Sequence, residues 1–206
     1  MNAKATPSAP PSAPHDAPVD ASADLTGKIL IAMPGMGDPR FAHSVIYLCA
    51  HSAEGAMGII VNKPTQDLRM HDLLDHLSIT PGPAMLDLPV HFGGPVEHGR
   101  GFVLHDDGYH SDIATLNVAA GFGMTATLDI LEDLAQGQGP DRAILALGYA
   151  GWGPDQLESE LAENGWLTCD ADADLVFDTI DTGKWEAALS RLGISSLTLS
   201  SDAGHA

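Results

Sequence analysis

From Lys28 to Pro64 three apolar runs, Ile29 to Met33, Ser44 to His51 and Ala56 to Asn62, are separated by breaks rich in proline, glycine and polar residues. Runs of this length between such breaks predict short strands. The connection Ser52 to Gly55 is polar and ends in glycine, so the second and third runs are expected to form an antiparallel hairpin. Side chains alternate along a strand, which puts Val45, Tyr47, Cys49 and His51 on one face and Ile46, Leu48 and Ala50 on the other. Both sets are largely apolar, so both faces of the sheet are expected to be covered.

After Pro64 the spacing of Leu68, Met70, Leu73, Leu74 and Leu77 predicts an amphipathic helix with Thr65 or Asp67 as its N-cap. Its His71/Asp75 and Asp72/His76 pairs are spaced i,i+4, but no third ligand is placed beside them and no metal site is assigned. A short strand running into a tight turn is expected over Val90 to Pro95, a strand over Phe102 to His105, and a half-buried one over Ile113 to Ala119. Thr127 can cap a helix that ends at Gly137. Ala143 to Leu147 reads as a strand leading into the glycine loop Gly148 to Gly153, with Pro154 opening the next helix, whose stripe is Leu157 and Leu161. Trp166 to Cys169 predicts a strand, Leu175 to Phe177 an apolar patch, and Gly183 to Leu192 a last helix burying Trp185, Leu189 and Leu192. Strands and helices mix without a regular βαβ alternation, so the fold class is α+β.

The segments MPGMGDPRFAHSVIYLCAHSAEGAMGIIVNKP, HFGGPVEHGRGFVLHDD and LALGYAGWGPDQLESELAENGWL resemble the AlgH/YqgE family of small bacterial proteins, over about Leu25 to Arg191. The resemblance implies a mixed, strongly curved or barrel-like sheet flanked by helices in three layers. It also implies a loose link to transcriptional control, through the founding member's connection to alginate regulation, and brings no reaction, cofactor or site residues. The resemblance also implies glycine in many members where this chain has Asp155.

Residues 1–24, with seven alanines, five prolines and one lysine, read as an extended tail, which leaves a single domain over 25–195 and a flexible end over 196–206. A body of that size buries enough surface to fold without a disulfide or structural metal. Only two cysteines are present, Cys49 and Cys169, and no apolar run reaches the length of a signal core or membrane span, so a cytoplasmic protein with no membrane contact is expected. A net charge of −19 with only nine scattered Lys and Arg argues against direct nucleic-acid binding. The acid-rich stretch from Asp155 to Glu186 forms a solvated surface or meets a basic protein partner.

Two places could carry chemistry. The glycine loops Met33 to Phe41, Gly93 to Gly101 and Gly148 to Gly153 could together line a pocket, with Gly35, Gly37, Gly93, Gly94, Gly148, Gly151, Trp152 and Gly153 as ligand-binding candidates and Arg100 as an anion contact. The GxxGxG spacing matches no dinucleotide or phosphate-loop pattern, and no cofactor is assigned. Cys49 and His51, two apart on one strand, are catalytic candidates as a thiolate–imidazolium pair, set against the reading of Cys49 as an inert core thiol. Three functions stay open: a non-enzymatic cytosolic protein, an indirect regulator among them, acting by contact with an unidentified protein partner; a small-molecule binder or enzyme using the glycine loops; and a structural homo-oligomer, of unspecified size. The first is preferred, because neither a complete nucleophile constellation, nor a metal motif, nor a cofactor loop is present.

Overall fold

The computed structural model describes residues 24–119 and 121–199, so nearly all of the expected tail and residues 200–206 lie outside the described region. Ten strands form one sheet: β1 Lys28–Ala32, β2 Val45–Ser52, β3 Gly55–Ile60, β4 Pro64–Arg69, β5 Pro89–Phe92, β6 Val96–Asp106, β7 Leu116–Ala119, β8 Phe122–Thr125, β9 Ala143–Trp152 and β10 Trp166–Asp170. Among the described residues four α-helices are added, α1 Met70–His76, α2 Leu128–Gln136, α3 Gln156–Ala162 and α4 Asp181–Arg191, with a π-helical turn at Asp174–Asp178. The strand order is β10-β1-β2-β3-β9-β6-β8-β7, and β5 joins β9 in parallel with β4 alongside it. All other pairings are antiparallel, including the expected β2–β3 hairpin, so the fold is α+β with a mixed sheet.

Alternation sorts the apolar strand residues into two faces. Ile29, Ile31, Val45, Tyr47, Ile59, Phe102, Leu104, Ile144 and Ala146 meet on one side, under α4 and the π-helical turn. Leu30, Ile46, Leu48, Ile60 and Trp166 point to the other side under α3, while Val90, Val103 and Leu145 lie under α1 and α2. Helices therefore cover both faces and the sheet is the middle of three layers. It is also curled: Tyr47 on β2 packs on Phe122 on β8, with centroids 4.6 Å apart, although three strands lie between them in the sheet. The Tyr47 hydroxyl donates to the Ala119 carbonyl on β7 at 3.4 Å. Burial raises this phenol well above its ordinary pKa, which keeps it protonated as a donor.

α4 is held inside the curl by polar contacts. Lys184, 2% exposed, donates from Nζ to the Val61 carbonyl at 2.8 Å and to Asp181 Oδ1 at 2.9 Å, and Trp185 Nε1 donates to the Ala32 carbonyl at 2.9 Å. Burial lowers the Lys184 pKa against the pull of Asp181. His91 Nε2 lies 3.2 Å from Asp181 Oδ1, within ion-pair reach but without hydrogen-bond geometry.

Several sequence expectations are corrected. Residues 65–69 are strand, not helix: the Thr65 hydroxyl donates to the Val90 carbonyl at 2.8 Å, which holds the segment extended beside β5, and the helix begins only at Met70 with Arg69 as N-cap. The strand expected from Ile113 starts at Leu116, because Ser111 Oγ accepts the Ile113 and Ala114 N–H groups and folds that segment into a turn. β8 went unrecognised in the sequence. Leu192, expected in the core, is 38% exposed at the end of α4. The glycine stops at Gly137 and Gly193 are left-handed, with φ of 71° and 70°.

The largest correction is β9. The expected loop after Leu147 continues as strand to Trp152, pairing first with β5 and β6 and then with β3. Gly148, at φ +73°, slips the alternation by one residue: Leu145 and Leu147 face α1 and α2, Tyr149 turns into the curl, and Ala150 and Trp152 face α3. Gly93 and Gly94 cross Gly148 and Tyr149 with backbones in contact. A Cβ at Gly94 would sit 2.1 Å from the Tyr149 carbonyl carbon, and one at Gly148 would sit 2.4 Å from the Gly94 oxygen.

Gly94→Ala and Gly148→Ala are each expected to cost more than about 3 kcal/mol and to lower Tm by at least about 6 °C. Gly99→Ala, where an added Cβ meets nothing within 4 Å, is expected to stay within about 0.5 kcal/mol of the parent in urea denaturation.

Candidate binding cleft

The slip at Gly148 aims Trp152 at α3 and β10. There it meets Trp166 edge-on at 5.9 Å between centroids, and Phe41 meets Trp166 edge-on at 5.8 Å. Glu160 on α3 fixes both indoles: its Oε2 accepts Trp166 Nε1 at 2.7 Å and Trp152 Nε1 at 2.9 Å, while Oε1 accepts Gln156 Nε2 at 2.9 Å. Above these groups opens a cleft of about 470 Å³, closed on the far side by the loop Met33 to Phe41 and bordered by Pro95, Gly151, Glu163 and Asn164. The Met33–Phe41 loop is tied to the sheet through Met33 N–H to the Gly165 carbonyl, at 3.0 Å. At its tip Asp38 receives Arg40 Nε at 3.0 Å and Nη2 at 2.6 Å. The Arg40 hydrogen bonds hold the Asp38 carboxyl below the usual carboxylate range.

Of the glycines singled out in the sequence, Gly35, Gly37 and Gly151 line this cleft together with Trp152. Gly93, Gly94 and Gly148 form the backbone crossing behind it, so their role is close approach. The Gly153 N–H is taken up by Gln156 Oε1 at 3.0 Å, and α3 has only seven residues, so the loop does not present free N–H groups to an anion at Gly153. Asp155 adopts φ +58°, a left-handed conformation that favours glycine. Arg100 lies elsewhere: it pairs with Glu97 at 3.2 Å and stands 5.2 Å from the Phe102 ring centroid. Beside it a second hollow of about 280 Å³, lined by Leu73, Leu77, Val103, Leu128, Leu131 and Leu145, separates α1 from α2.

Cys49 and His51 do not share a face. The β2–β3 register skips a residue between Leu48 and Ala50, so Cys49 is the extra residue of a bulge. It points into the curl with Val45 and Tyr47, 2% exposed, whereas His51 turns out toward α3 and its Nε2 meets Glu158 Oε1 at 2.7 Å. His51 Nδ1 accepts the Leu25 N–H at 3.1 Å, which assigns the proton of a neutral ring to Nε2, facing Glu158. Glu158's own N–H and the His51 ring hold its carboxyl below the ordinary range. Burial pushes the Cys49 thiol up to about 12, the reverse of what a nucleophile needs. Of the two i,i+4 pairs on α1, His71 Nε2 lies 3.7 Å from Asp75 Oδ2, while His76 Nδ1 contacts the Asp72 carbonyl and the Asp72 carboxylate accepts the Arg69 N–H. Among the described residues no group of three or more His, Cys, Asp or Glu is arranged to hold a metal ion.

Sequence reasoning placed Phe41 in a pocket-lining loop but missed Gln156, Glu160 and Trp166. Their only advance signal was the i,i+4 spacing of Gln156 and Glu160 on a helix flanked by two tryptophans.

At pH 8 a thiol with a pKa of about 12 is ionised to roughly one part in 10⁴, so iodoacetamide is expected to leave Cys49 unmodified in the folded protein and to modify it in guanidinium. His51→Ala is expected to leave that result unchanged, read by peptide mass spectrometry.

Comparison with known proteins agrees with this architecture. The solution structure of the AlgH protein from Pseudomonas aeruginosa superposes with a TM-score of 0.73 at 40% identity, covering 91% of this chain and 98% of that one. The crystal structure of a Corynebacterium diphtheriae protein, DIP2367, shares the fold at a TM-score of 0.65 and 20% identity, covering 81% and 86% of the two chains. A UPF0301 protein of Ruegeria pomeroyi is 61% identical over 183 residues, 88% of this chain and 99% of the relative, and one of Paracoccus denitrificans is 57% identical over 184 residues, 88% and 97%. With the AlgH-like family model matching residues 29–197, the chain belongs to the AlgH-like family.

Proposed function

We propose that the protein is a non-catalytic cytosolic module that acts by contact with another protein, and that the cleft over Glu160 is its contact site. The observation that carries this reading is the convergence of the Met33–Phe41 loop, the end of β9 and α3 on one open hollow floored by Met33, Phe41, Trp152 and Trp166. Aromatic and methionine side chains at the floor of a polar-rimmed hollow are the composition of interface hot spots. The described lining contains Asp, Glu, Arg, Asn and Gln but neither Ser, Thr, Cys, His, Lys nor Tyr, so its polar groups suit orientation of a ligand better than nucleophilic attack. Glu160, held by three donors, serves as a fixed acceptor. A regulatory role would run through the partner, because a net charge of −19 repels nucleic acid. Among the described residues no helix is long and apolar enough to cross a membrane.

A photo-crosslinking amino acid replacing Gly37, where an added Cβ meets nothing within 4 Å, is expected to give one discrete protein adduct in cells. The same group replacing Ile113, 69% exposed on another surface, is expected to give none. The adduct partner, purified, should bind the full chain, and Phe41→Ala should weaken it about tenfold. Equal adducts from both positions, or none from Gly37, would remove the cleft as contact site. The hollow's volume of about 470 Å³ also suits a small molecule. A metabolite at about 100 times its Kd would raise Tm by about 5–10 °C, and a hit abolished by Phe41→Ala would replace the protein partner with that ligand.

A further inference from the structure

The charges around the cleft are unbalanced in a particular way. At one end the Asp38 carboxylate is matched by Arg40, whose guanidinium also stands 6.0 Å from the Phe41 ring centroid. At the other end Glu160 is oriented entirely by neutral donors, the two indole N–H groups and the Gln156 amide, and among the described residues it forms no ion pair. A carboxylate offers about four acceptor positions, so one remains open on Oε1, and Glu163 adds a second negative charge on the exposed rim of the same hollow. The structure thus builds a half-buried, pre-oriented negative charge beside aromatic surface, and among the described residues nothing supplies its counter-charge.

We infer that the partner presents a basic segment to this cleft and that an arginine side chain of that segment sets its guanidinium against Glu160 and Glu163, over the Phe41–Trp166 floor. This rests on the reading of the cleft as a contact site and adds the chemistry of what fills it. Arginine is favoured over lysine because a planar, weakly hydrated guanidinium can stack on aromatic carbon while its edge donates to carboxylate oxygens. Arg40 already displays both contacts, with Asp38 and Phe41, at the opposite end. The net charge of −19 would draw such a segment in from a distance, and Glu160 would fix where it settles.

The test uses the full chain and two fluorescein-labelled peptides of alternating glycine and arginine or glycine and citrulline, which differ in charge but hardly in shape. Anisotropy titration at 150 mM salt is expected to show the arginine peptide binding at least about tenfold more tightly than the citrulline peptide. Glu160→Gln and the rim variant Glu163→Gln should each weaken the arginine peptide several-fold. Glu132→Gln, which removes the same charge from an exposed position on α2, should leave it within about twofold. Trp fluorescence and Tm verify that the Glu160 variant keeps its fold, and the Glu163 variant answers the question if it does not. Equal binding of the two peptides, or equal loss with Glu132→Gln, would overturn the inference as shapeless attraction to an acidic protein. Undiminished crosslinking from Gly37 in a folded Glu160→Gln, Glu163→Gln double variant would also overturn it, while leaving the cleft as the contact site; absence of that adduct in the parent chain would instead remove the contact site itself.

Discussion

The cleft depends on a backbone contact with no side chain in it. Gly93 and Gly94 cross β9 at Gly148 and Tyr149 so closely that a Cβ at Gly93 would lie 2.2 Å from the Gly148 oxygen. That crossing requires glycine on both sides, and it allows β9 to serve two neighbourhoods: β5 and β6 along its first half, β3 along its second. The left-handed residue that makes the crossing possible also advances the pleat by one. Without that slip Trp152 would point into the curl with Ile144 and Ala146, and Glu160 would keep only the Trp166 indole.

A second slip, on β2, has the mirrored effect. The bulge at Cys49 leaves the thiol inside and turns His51 outward, where it stands opposite Ala56, which in turn stands opposite Trp152. His51, Ala56 and Trp152 form one row across three strands beneath α3. Glu158 and Glu160 sit two apart on that helix, each bound to one end of the row. Two departures from regular alternation thus fasten a helix of only seven residues, which has a thin apolar stripe and would be marginal alone. Irregularity in the sheet is what orients the polar groups of the cleft.

This also explains what could be read from the sequence. The strands β1, β2 and β3 and the helix stops at Gly137 and Gly193 followed from local pattern, because there the apolar period and the breaks agree with the fold. The three-layer, curled arrangement came by resemblance alone, since closure of the sheet rests on contacts such as Tyr47 with Phe122, 75 residues apart, that no local period encodes. Of the three glycine loops read from the sequence, Met33 to Phe41 lines the cleft, while Gly93, Gly94 and Gly148 lie at a backbone crossing. Of the glycines in GxxGxG, Gly148 admits another backbone and Gly151 lines the cleft, a division of roles that the spacing does not encode. The same parity argument that defined two faces of β2 misplaced His51, because a bulge has no reliable sequence signature when its extra residue is an ordinary apolar one.

Segment 65–69 failed for a further reason. Its leucine and methionine spacing suits a helix, and Thr65 is a good cap, but the Thr65 hydroxyl is worth more as a donor to the Val90 carbonyl, at an edge where β5 would otherwise lack a neighbour on that side. Tertiary pairing overrides local propensity there, and Asp72 then caps the shortened helix through Arg69 N–H. Glu160 illustrates the same principle from the functional side. In sequence it is one of many acids on an acidic helix, indistinguishable from Glu158 or Glu163. Only the fold brings two indoles, 14 residues apart, to a single carboxylate oxygen, and that convergence separates an oriented charge from a solvated one.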